Sequence, residues 1–103
     1  MATAQRAAAA PSIDFDAYGS ALAAAERLLQ LARVAVGAKS AAAGRSDGAQ
    51  HALHGLAWLA TYVEALRQMH LWATRLDDAG ALGALERALL VAAFGEYLAR
   101  IEG

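Results

Sequence analysis

An all-α fold, a bundle of about three long antiparallel helices, is what this alanine-rich sequence predicts. Three observations carry that prediction. Apolar residues recur at alternating spacings of three and four over three separate stretches, which is the period of a helix with one buried face. Nowhere does period-two alternation with β-branched residues extend far enough to make a strand. Between the stretches, glycine, serine and aspartate supply the stop and start signals of helix ends.

At 103 residues the chain has material for one domain. Residues 1–11 hold one arginine and many small residues, without the apolar segment of a secretory signal, and read as a disordered leader ending at Pro11. The bundle is expected over 12–103. Its first helix, about 14–37, opens at Ser12, Asp14 and Asp16, whose oxygens suit the unpaired amides of a first turn. Tyr18, Leu22, Ala25, Leu29, Ala32 and Val36 then form a continuous stripe. Residues 37–48 read as a loop, with Ser46 or Asp47 capping the second helix, about 49–76.

That second helix carries two stripes. One runs through Ala52, Leu56, Leu59, Val63, Leu66, His70 and Ala73, and the other through His51, His54, Trp58, Tyr62, Ala65, Met69, Trp72 and Leu76. Two apolar faces predict neighbours on two sides. Asp77, Asp78 and Gly80 end it. The third helix, about 81–101, offers one ridge at Leu82, Leu85, Leu89 and Ala92 and a second at Leu90, Phe94, Tyr97 and Ile101.

Composition narrows the function. Hydrophobic residues make up 58% of the chain and charged residues 18%, against about 25% charged in an average domain. A small helical monomer needs charge on its outer faces, so the apolar surplus predicts a partner that completes the bundle, and a homo-oligomer is expected. The net charge of −1 creates no basic field for nucleic acid. The longest apolar run, within residues 53–63, is too short and too polar to span a membrane. The absence of cysteine fits the reducing cytoplasm.

No catalytic, cofactor-binding or metal-binding residues are expected. His51 and His54 share a helix face and could both reach one metal, but a zinc site needs further donors. His70 lies sixteen residues beyond His54 in the sequence, about 24 Å along the same helix. The pair reads as polar caps beside Trp58. Asp77 and Asp78 have a turn-forming explanation. The glycines form neither a dinucleotide-binding nor a phosphate-binding loop, and no serine sits in a nucleophile elbow. What remains is an aromatic surface. His54, Trp58, Tyr62, Met69, Trp72, Phe94 and Tyr97 are the candidate interface residues, because tryptophan, tyrosine and methionine concentrate in interface cores.

The run from His51 to Met69, HALHGLAWLATYVEALRQM, with Phe94-Gly-Glu-Tyr-Leu98 downstream, resembles the acyl-CoA dehydrogenases that carry an extra helical N-terminal region. The resemblance implies an accessory or assembly region that is inactive alone, either a fragment or a free-standing copy of that extension. It implies as partner a flavoprotein core domain, or identical subunits. It also implies that FAD, the CoA-ester pocket and the catalytic glutamate belong to the core, so Glu64 and Glu96 are not the base. An independent self-associating helical interaction module is the competing expectation.

Overall fold

The computed structural model describes residues 12–43 and 46–103, and the leader expected over 1–11 lies outside them. Three helices and no strand are present among the described residues: α1 (Phe15–Ala43), α2 (Asp47–Asp78) and α3 (Ala84–Glu102). α1 and α3 each pack on α2 and scarcely touch one another. The two-faced pattern of α2 therefore has its physical counterpart in two neighbours.

Local chemistry places the helix ends. Asp14 caps α1, its Oδ1 accepting the Ala17 amide at 3.1 Å. Ser46 caps α2, its Oγ accepting from the Ala49 amide at 3.2 Å. Replacing Ser46 by alanine removes that acceptor, and we expect a loss of about 1 kcal/mol in thermal or denaturant unfolding. At the far end of α2, the Gly80 amide bonds the Asp77 carbonyl and the Ala81 amide bonds the Leu76 carbonyl. Together with Gly80 at φ +69°, this is the Schellman arrangement, which needs a left-handed residue where glycine stands.

Two boundaries differ from the sequence expectation. α1 continues through Gly37 to Ala43, because alanines on both sides of the glycine offset its cost of roughly 1 kcal/mol. α3 begins at Ala84 rather than near residue 81. The intervening segment instead carries Leu82 into the core, where it is buried and its carbonyl accepts from the Arg87 Nε at 3.0 Å.

The core joins Leu22, Ala25 and Leu29 of α1, Val63, Leu66 and Ala73 of α2, Leu82 of the turn, and Leu90 and Phe94 of α3. α3 has a single close neighbour and so buries a single ridge. Leu90 and Phe94 are inside, whereas Leu85 and Leu89 of the other expected ridge are exposed. Length decides the rest. At 1.5 Å per residue, α1 and α2, of 29 and 32 residues, run about 43 and 48 Å. α3, with 19 residues, runs about 28 Å. It leaves the α1–α2 hairpin projecting beyond its C-terminus. The molecule is accordingly a rod of 65 × 22 × 16 Å with a radius of gyration of 18.0 Å, against about 13 Å for a compact chain of this size.

One polar bridge crosses the α1–α2 seam. Arg67 donates through Nη2 to Glu26 at 2.8 Å and through Nη1 to Glu64, and Gln68 donates to the same Glu64 at 2.7 Å. The Gln68 donation, with Arg67 adding its charge, holds the Glu64 carboxyl below its ordinary value. A carboxyl lowered in the folded state stabilises the fold above its unfolded value, and that contribution is lost as pH falls through the lower folded value. This network is therefore expected to add no pH dependence above about pH 5 and to weaken the fold on further acidification. Thermal melts of wild type and Glu64→Gln at a series of acid pH values check this. The acid-side decline should be shallower in the variant.

Candidate functional site

The interface residues expected from sequence divide into two groups. Met69 and Trp72 are half-buried against the core, on the part of α2 that α3 covers. Phe94 is 2% exposed and lies inside the core, its ring 4.7 Å from that of Tyr18. It supports the bundle and is not a surface anchor, because the ridge it belongs to is the one α3 turns into the shared core.

The remaining four come together at the end of α3. Trp58 is 52% exposed and donates its Nε1–H to the Nε2 of His54, one turn earlier, at 3.0 Å. Its ring lies 5.8 Å from that of Tyr62, which lies 5.7 Å from Tyr97 across the α2–α3 seam. The three rings descend as tilted steps from solvent into the bundle. This geometry gives apolar contact together with ring-quadrupole attraction. Beside them, Leu89, Ala92 and Ala93 of α3 complete an open groove of about 620 Å³.

Glu96 and Arg100 form the groove's polar edge. Arg100 donates through Nε to Glu96 at 2.8 Å. Glu96, and after it the Tyr62 side chain, push the Arg100 guanidinium further up from its already high ordinary value. It remains a fixed cation. Glu96 stands four residues before Arg100, the favourable order for a helical pair. Two features of the groove were not legible in the sequence: that Arg100 lines it together with Tyr62, and that Leu89 is exposed. Both depend on where α3 lies on α2, and helical periodicity does not encode that offset.

Elsewhere the polar candidates have local roles. His51 is exposed, and His54 is occupied by the Trp58 donor. No cluster of three or more metal-ligating side chains occurs among the described residues. Asp77 and Asp78 are the last residues of α2, and it is the backbone carbonyl of Asp77 that accepts from the Gly80 amide in the turn. No helix of the described residues is long and apolar enough to cross a membrane. The site as built offers aromatic and aliphatic contact with a charged rim, which suits docking of another protein surface.

No family model matches the sequence, and no solved structure matches it. Over 54 residues, 52% of the chain, it is 59% identical to a (2S)-methylsuccinyl-CoA dehydrogenase of Cereibacter sphaeroides. Those residues amount to 10% of that protein, so the chain spans about a tenth of the length of the curated relative it matches. Half of this chain is thus similar to a small part of an acyl-CoA dehydrogenase.

Proposed function

We propose that this chain is the non-catalytic helical accessory region of an acyl-CoA dehydrogenase-like flavoprotein of the methylsuccinyl-CoA dehydrogenase kind, inactive alone and working in the cytoplasm. It docks on the flavin-bearing core through the groove of Trp58, Tyr62 and Tyr97, with His54 at its margin. The single observation that carries this reading is the 59% identity to a tenth of such an enzyme. The exposed Trp58 step supports it physically. A half-exposed tryptophan above two stacked tyrosines, rimmed by an ion pair, has the composition of an interface centre. Glu64 and Glu96 are both surface carboxylates engaged by neighbouring arginines, which supports leaving the base to the core.

In this reading the region's contribution is mechanical. Covering the groove removes apolar surface from water and holds α3 against a second body. It can thereby shape access to the core's site or brace its assembly. The flavin absorbance of the purified chain and its turnover of CoA thioesters test the non-catalytic part. The expected result is no bound flavin and no oxidation. Stoichiometric FAD, or acyl-CoA oxidation by this chain alone, would overturn it.

A further inference from the structure

A second face is left uncovered on α1, and at Leu28 it adjoins the aromatic groove, since Leu28 and Ile101 line one pocket with Trp58, Tyr62 and Arg100. α1 carries two heptad stripes. The first packs on α2. The second runs through Ala17, Ala21, Ala24, Leu28, Leu31 and Ala35 at spacings of four and three, and continues through Ala38 and Ala42. It contains no charged residue, and nothing in the monomer covers its centre, where Leu28 is 43% and Leu31 69% exposed. Between its lower half and α3 lies a shallow groove lined by Ala21, Ala24, Leu28, Leu98 and Ile101 and ending at Glu102.

The stripe is nearly symmetric about the point midway between Leu28 and Leu31. Turned end for end, it pairs Leu28 with Leu31, Ala24 with Ala35, Ala21 with Ala38 and Ala17 with Ala42. Every pair is apolar, and the two large side chains fall beside the centre. A two-fold axis requires this property, since each residue must find its mate in the same patch of an identical chain.

Charge along the rod favours the same orientation. Asp14, Asp16, Asp77 and Asp78 gather at one end, on the side where Phe15 approaches His70. Arg33 and Lys39 occupy the α1 half that runs to the other end, where Asp47 is the opposing charge among the described residues. An antiparallel partner sets basic end beside acidic end, which fixes orientation more than affinity.

The area is sufficient. α1 presents a strip of about 43 Å by 12 Å, and the α3 edge from Val91 to Ile101 adds roughly 150 Å². That is on the order of 650 Å² per copy in projection. Interdigitated side chains bury more than the projection, so the pair reaches the roughly 1,200 Å² total of a specific interface.

We infer that a second copy of this chain occupies the stripe, forming an antiparallel dimer through α1 centred between Leu28 and Leu31. This surface borders the aromatic groove at Leu28 but is centred on α1, and the inference does not rest on the flavoprotein reading. Sedimentation of the 103-residue chain and cysteine cross-linking test it. Wild type should sediment as a dimer. Leu31→Glu places two carboxylates beside the axis and should raise the dissociation constant more than about tenfold, with helicity by circular dichroism unchanged. Leu85→Glu, on the exposed side of α3, should leave the dimer intact. Because the chain lacks cysteine, Ala24→Cys and Ala35→Cys report orientation directly. The two variants mixed should form a disulfide with each other far faster than either does with itself. A monomer at all concentrations, a dimer indifferent to Leu31→Glu, or preferential self-linking of Ala24→Cys would each overturn the proposal.

Discussion

Phe94→Ala is expected to destabilise the bundle by about 4 kcal/mol, within the range for phenylalanine truncation in a core. Phe94 is 2% exposed and stacks on Tyr18 of α1 from its place on α3. It is thus a direct link between two helices that otherwise scarcely meet. Removing the ring forfeits its transfer energy and leaves a cavity that the rigid α1–α2 hairpin has little freedom to close. A domain of this size has roughly 5–15 kcal/mol to lose, and each kcal/mol shifts its midpoint by about 4–8 °C. A drop of roughly 20 °C or outright unfolding should follow in a thermal melt monitored at the helical signal. The outcome separates two roles. A surface anchor would lose partner binding with its melting temperature intact, whereas a core residue loses the transition itself.

Leu66→Ala is expected to cost nearly as much, about 3 kcal/mol. Leu66 is fully buried, along with Val63 and Leu90. It belongs to the core cluster that joins residues of all three helices, so its loss loosens that shared core. The midpoint in denaturant should fall while the slope of the transition holds, since the surface exposed on unfolding is unchanged. Leu71→Ala provides the contrast. That leucine is on the same helix but 45% exposed, and its truncation should move the midpoint by no more than about 0.5 kcal/mol.

The difference between Leu66 and Leu71 was legible in the sequence, because the helical period alone sets which face of α2 each occupies. The same holds for the α1 stripe from Tyr18 to Val36. It holds too for the Ser46 cap and the turn at Gly80, each fixed by side chains within a few residues of one another. What the period does not encode is how far one helix slides along the next. Leu89 and Leu90 are adjacent and equally apolar, yet one is exposed and the other buried, because α3 meets one helix rather than two. Phe94 and Tyr97 belong to one ridge. Phe94 falls inside the core, and Tyr97 falls at its edge beneath Trp58, because α3 ends there. The aromatic surface expected over seven residues therefore contracts to the step of Trp58, Tyr62 and Tyr97 with His54 at its margin. The identity of a partner lies still further from periodicity, and the acyl-CoA dehydrogenase likeness came from the particular string of α2.

The docking claim is tested most directly by sedimentation of the chain with an FAD-loaded core of the Cereibacter sphaeroides relative from which the matching stretch has been removed. The two should comigrate as a stoichiometric complex, and Trp58→Ala should weaken it by at least about tenfold, as removal of a central aromatic anchor does, with the melting temperature of the chain nearly unchanged. Independent sedimentation of the two components, or a complex indifferent to Trp58→Ala, would contradict it.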